Sequence, residues 1–158
     1  MKKVNNPFAG RENYNCIGCS PDHQFGLKLN FYLDETKQEV FTEWEPNHNF
    51  EGYHNVLHGG IQATMLDEIA SWAVYVLLKT GGVTSQLQVR YIKPVLLSEG
   101  SIRLTARIEK FEKRLANIKT QLINANGVVC SEGVVQYFVF PEAIAKEKYG
   151  YPGIEKFL

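Results

Sequence analysis

Apolar side chains recur on nearly every side of the stretch running from Ile61 through Ala63, Met65, Leu66, Ile69, Ala70, Trp72, Ala73, Val74, Val76 and Leu77 to Leu78, and Gly81-Gly82 then supplies a stop signal. A helix apolar all round belongs in a core, so the pattern predicts one long central helix over about residues 59–79. Around it the period changes from helical to alternating. Residues 27–34 and 39–45 read as two strands of a hairpin, joined by an Asp-Glu-Thr-Lys turn. After the helix, four more strands are expected at residues 84–93, 101–110, 115–124 and 128–140, with Asn126-Gly127 as a tight-turn signal. Two strands, a helix and four strands predict an α+β class: an antiparallel β-sheet wrapped around one helix.

The polar residues that interrupt the helix are not scattered. With Gly60 as zero and roughly 100° per residue, Thr64, Asp67 and Ser71 fall at roughly 40°, −20° and 20°, with Glu68 rotated off the stripe near 80°. A partly desolvated carboxylate on such a stripe is a candidate base or nucleophile, although pairing with a Lys or Arg of a neighbouring strand would also account for it. The His58-Gly59-Gly60 turn at the helix start adds a second element. Backbone N–H groups there are open to close approach and lie at the positive end of the helix, as an oxyanion hole requires. Asp67 lies about 10 Å along the axis from Gly60 at 1.5 Å per residue, too far for one helix to present both groups to the same carbonyl. Two antiparallel copies could, which predicts a composite site in a homodimer.

Residues 50–68, running from Phe50 through Tyr53, Asn55 and His58-Gly59-Gly60 to Asp67-Glu68, resemble the phenylacetate-degradation-type thioesterases of the hotdog-fold superfamily and their thioesterase-superfamily-member relatives. Two further segments resemble the same family in the same order: the Cys16-x-x-Cys19 opening with Gly26-Leu27, and residues 82–94 with their Tyr91-x-x-Pro94 ending. The resemblance implies a hotdog fold and hydrolysis of an acyl thioester of coenzyme A to free acid and thiol. It assigns Asp67 as general base or nucleophile, the Gly59 N–H as oxyanion donor, His58 as a residue shaping the pocket, and Thr84 as a hydroxyl holding the attacking water or the carboxylate. Ser85 would take that role if the register slipped by one. Where some members carry Asn six residues before the histidine, this chain has Gly52.

Substrate contacts are expected from Gly60, Glu68, Tyr53 and Asn55, and the acyl pocket from the apolar loop and helix with Phe50, Tyr53 and Trp72. The coenzyme A phosphates are expected to meet Arg90, Lys93, Lys110, Lys113 or Arg114, which flank strand ends and turns. Two other functions fit the same pattern. One is a non-catalytic acyl-thioester or fatty-acyl binding protein; the other is a hotdog enoyl-thioester hydratase, whose usual His-Phe-Pro-Gly loop is absent.

Composition narrows the setting. The 158 residues, 44% hydrophobic, suffice for a single domain, with a core over about residues 15–140, an N-terminal arm at 1–14 and a tail at 141–158 that can hold a short helix after Pro141. Seventeen basic against seventeen acidic residues give no bulk attraction to nucleic acid or acidic membranes. No apolar run follows Lys2-Lys3, so neither leader nor anchor is expected and the protein is expected in the cytoplasm as a homodimer or a dimer of dimers. Cys16 and Cys19 are half of a zinc motif with no second Cys-x-x-Cys or His-x-x-x-His to complete it, so no metal and no cofactor beyond the substrate's own coenzyme A are expected.

Overall fold

The structure, a computed structural model, describes residues 1–158. Its elements in chain order are β1 (Lys2–Lys3), β2 (Tyr32–Asp34), β3 (Glu39–Trp44), α1 (Gly59–Leu77), β4 (Gly82–Tyr91), β5 (Ile102–Glu112), β6 (Leu115–Ile123), β7 (Val129–Val139) and α2 (Glu142–Tyr149). All seven strands form one antiparallel sheet in the order β1-β2-β3-β5-β6-β7-β4, and α1 packs across β3 to β7. This is the antiparallel sheet around one helix that the pattern of the chain predicts, and the hotdog fold that the resemblance implies. Alternation explains the layering: Ala116, Ile118, Thr120 and Leu122 of β6 and Val135, Tyr137 and Val139 of β7 turn inward, against Met65, Leu66, Ile69 and Ala73 of the helix.

The turn signals hold. Gly127 takes φ +79° at the β6–β7 connection, and Asn124 accepts hydrogen bonds from the N–H groups of Asn126 and Val128. At the β5–β6 tip the two left-handed residues are Lys113 and Arg114, with φ of 51° and 67°, so a basic pair stands where Asn-Gly is usual.

Three expectations change in detail. The first hairpin strand is only three residues long, because the N–H groups of Leu27 and Leu29 bond the carbonyls of Ile17 and Gly18 instead of a ladder partner. The arm expected at 1–14 is tied in: Lys2 and Lys3 pair with β2, and the Asn5 N–H donates to the carbonyl of Phe157. The tail is tied in as well. Phe157 and Tyr151 are buried against Trp72 and Tyr75 at the far end of α1, where Phe8 of the arm joins the same aromatic cluster.

One edge strand is left bare. β4 pairs only with β7, and it stays solvent-exposed along most of its ten residues, including Val83, Leu87 and Tyr91. No helix of the structure is long and apolar enough to cross a membrane.

Candidate active site

Asp67 sits on the half-buried stripe of α1 that faces β4. Its carboxylate accepts a hydrogen bond from the Thr84 hydroxyl at 2.7 Å on Oδ1, and the Tyr137 hydroxyl shares its proton between that same Oδ1 at 3.2 Å and the Asp67 carbonyl oxygen at 3.1 Å. Thr84 and Tyr137 are directly opposite each other in the β4–β7 ladder, so one register fixes both donors beneath one acid. The other carboxylate oxygen takes no protein donor. Burial, and after it the charge of Asp67, raises the pKa of Tyr137 above that of an ordinary phenol, so this residue stays a neutral donor.

A bulge between Thr84 and Gln86 decides which of the two adjacent hydroxyls reaches the acid. Thr84 does; Ser85 turns the other way and bonds Gln136 through its carbonyl and its side chain. Tyr137 was not among the expected site residues. Its place in an alternating strand marks it as inward-facing, but nothing in the linear pattern pairs it with Asp67.

At the start of α1, His58 is the N-cap, and its Nδ1 accepts the Gly60 N–H at 2.9 Å. The histidine thus shapes the turn, and it occupies the Gly60 donor that was expected to face substrate. Gly59 N–H makes no hydrogen bond within the protein and remains open. Its carbonyl accepts from the Tyr91 hydroxyl at 2.6 Å, which ties the helix start to the end of β4. Asp67 and Gly59 therefore both lie beside the bare edge strand, one near each end.

The other expected residues separate. Asn55, at φ 61°, spends its side chain on Ser98, donating at 2.9 Å to the hydroxyl and accepting the Ser98 N–H at 3.0 Å, so it holds the loop together. Tyr53 is 87% exposed at the loop tip. Glu68 turns away from Asp67 and toward Cys16, Cys19 and the indole N–H of Trp72. Desolvation raises its pKa to about 7. Trp72 is not a pocket residue: it is buried and stacked on Phe31 at 4.4 Å. Phe50 does line a groove of about 870 Å³ beside the helix start, with Ile17, Phe25, Leu27, Trp44 and Ile61. Arg90 lies within 4.0 Å of Glu132, and Lys113 and Arg114 sit at the β5–β6 tip. Through the ladders, Arg90 and that tip are at opposite ends of β4, roughly 23 Å apart at 3.3 Å per residue, so one protomer cannot converge them on one phosphate.

Comparison with known proteins bears on the fold. The thioesterase superfamily model matches residues 54–131. An uncharacterized protein of Schizosaccharomyces pombe is 27% identical over 149 residues, covering 90% of this chain and 84% of its own. Among solved structures, a thioesterase superfamily protein superposes with a TM-score of 0.72 at 21% identity, covering 78% of this chain; the chain spans 62% of that protein's length. A hypothetical thioesterase from Streptococcus pneumoniae, solved with coenzyme A, superposes with a TM-score of 0.62 at 20% identity, covering 66% of this chain and 82% of its own. The central half of this chain carries the thioesterase superfamily pattern, and the chain as a whole folds as a hotdog.

Proposed function

We propose that the protein hydrolyses acyl thioesters of coenzyme A, with Asp67 as the reactive carboxylate and the Gly59 N–H as oxyanion donor, in a site completed by a second copy of the chain. The observation that carries this reading is the Asp67 carboxylate, held on one oxygen by Thr84 and Tyr137 and free on the other, beside an unpaired strand edge. Water adds to the thioester carbonyl carbon as its proton passes to Asp67; the oxyanion collapses, the C–S bond breaks, and the thiolate leaves and is protonated. In the other route Asp67 itself attacks, and water then cleaves the resulting anhydride. Thr84 and Tyr137 orient the carboxylate in both routes. Either way one oxyanion N–H contributes about 3 kcal/mol to the transition state.

Separation along α1 supports the shared site. Gly59 and Asp67 are two turns apart on one helix, about 12 Å at 1.5 Å per residue, whereas both must approach one carbonyl. An unpaired ten-residue edge invites pairing with its own copy. In an antiparallel pairing the helix start of one protomer meets the Asp67 region of the other, and the Arg90 end of one meets the Lys113-Arg114 tip of the other. Cations from both protomers would then flank the coenzyme A phosphates, with the acyl group in the groove beside Phe50. The solved coenzyme A complex of the streptococcal protein fits this choice of carrier.

Free-thiol release across a panel of aliphatic and aryl acyl-coenzyme A substrates tests the activity. Mixing Asp67→Ala with Gly59→Pro subunits tests the sharing: about half the sites in each mixed dimer are intact, so activity absent from either parent should return. Saturable acyl-coenzyme A binding without thiol release would replace the enzyme with a carrier.

A further inference from the structure

The loop that opens the chain's described fold closes on the one acid of α1 that the proposed chemistry leaves unused. Cys16 Sγ lies 3.5 Å from both carboxylate oxygens of Glu68, and the ligand atoms of Cys16, Cys19 and Glu68 all lie within 4.8 Å of one another. Tetrahedral zinc, with Zn–S near 2.3 Å and Zn–O near 2.0 Å, sets sulfur and oxygen about 3.5 Å apart and two sulfurs about 3.8 Å apart. The Cys16–Glu68 pair has that sulfur–oxygen spacing, and the other pairs fall inside 4.8 Å, within reach of one ion. We propose that Cys16, Cys19 and Glu68 form a zinc site that fastens the N-terminal loop to α1, with water as the fourth ligand.

Four further observations point the same way. The protein groups bonded to Glu68 are a thiol and the Trp72 N–H, with no lysine or arginine paired to it, so no cation of the protein holds the carboxylate when it ionises. Gly18 lacks a side chain where a Cβ would stand 2.5 Å from Glu68 Cδ, so the loop is shaped to admit the carboxylate. The Ser20 N–H donates to the Cys16 carbonyl at 3.0 Å, so the Cys16–Cys19 turn is closed with both sulfurs within 4.8 Å of each other. Asn6 donates to the Tyr14 oxygen at 3.2 Å, and that hydroxyl is hydrogen-bonded to the Cys19 sulfur at 2.8 Å, so a polar group already faces the second thiol. On loading, each thiol releases one proton to solvent, and three anionic ligands against one Zn²⁺ leave a single negative charge. The motif Cys-x-x-Cys is only half a zinc site along the sequence; the third ligand comes from a helix fifty residues later.

Zinc is added to the untagged protein, stripped of metal and kept reduced, and uptake is measured by elemental analysis and by competition with a chromogenic chelator; Co²⁺ serves as the optical probe. One Zn²⁺ per chain, thiolate-to-cobalt charge-transfer absorption, and protection of Cys16 and Cys19 from alkylation are expected. Buried Cys130 serves as the internal reference in the alkylation. Glu68→Gln should weaken zinc binding at least tenfold, and Cys16→Ser with Cys19→Ser should abolish it. Uptake below one per chain without thiolate absorption overturns the site, as does zinc affinity unchanged in Glu68→Gln or a Cys16–Cys19 disulfide that persists under reductant. The alkylation and cobalt measurements use the native chain, so they decide the question even if a variant fails to fold.

Discussion

Asp67 and Glu68 are neighbours in the chain and both are carboxylates, yet α1 delivers them to opposite settings. A rotation of about 100° turns Asp67 toward a bare strand edge, two hydroxyl donors and an open oxygen, and turns Glu68 into a closed loop of thiols and an indole. Identity of the side chain therefore says little about its chemistry. The face of the helix says more, because it sets what donates to the acid and what can reach it.

The sharpest way to break this comparison is to neutralise each acid in turn. Asp67→Asn should lower turnover at least about 100-fold, the scale of a general base, with the melting temperature little changed. Glu68→Gln should alter turnover by less than about threefold, a fraction of a kcal/mol in the barrier. Steady-state thiol release on both variants checks this; equal losses would erase the distinction between the faces.

Removing the donors comes next in size. Thr84→Ala and Tyr137→Phe each delete one hydrogen bond to a charged group, about 1.5–3 kcal/mol, so each should reduce turnover by roughly 10- to 100-fold. Ser85→Ala, one residue away on the bulge, should leave it nearly unaltered. Matching losses at Thr84 and Ser85 would mean that the bulge does not choose between them.

On the Glu68 side the effect should appear in stability. Gly18→Ala forces a methyl to 2.5 Å from the Glu68 carboxylate, an overpacking worth about 1–3 kcal/mol. Thermal unfolding should fall by roughly 2–4 °C per kcal/mol for a chain of this size. An unshifted melting curve would show that Glu68 is not held by the loop.

Much of the fold was legible because it repeats locally. The apolar run of α1, the alternation of β6 and β7 and the Asn126-Gly127 turn are patterns a few residues wide, and their elements appear within two or three residues of expectation. Asp67, Gly59 and His58 could be named as candidates because they lie in the turn and helix that carry the family resemblance, and Thr84 because it lies in the resembling strand segment that follows. What escaped depends on partners distant in sequence. Tyr137 meets Asp67 only through strand register, Glu68 meets Cys16 only through loop closure, and Asn55 looks like a ligand contact until Ser98 is seen to use both ends of its amide. The arm and tail looked peripheral for the same reason: Val4 and Phe8 are too few apolar residues to signal a packed segment on their own.

The hydrogen bond from Asn5 to Phe157, with the aromatic cluster around it, has a consequence for synthesis on the ribosome. The sheet and most of α1 can assemble once Val139 has emerged, but the cover over Trp72 and Tyr75 is made by Tyr151 and Phe157. During that interval the far end of the helix presents aromatic surface to solvent or to chaperones, so slow translation of residues 140–157 should prolong an aggregation-prone stage of this chain's life.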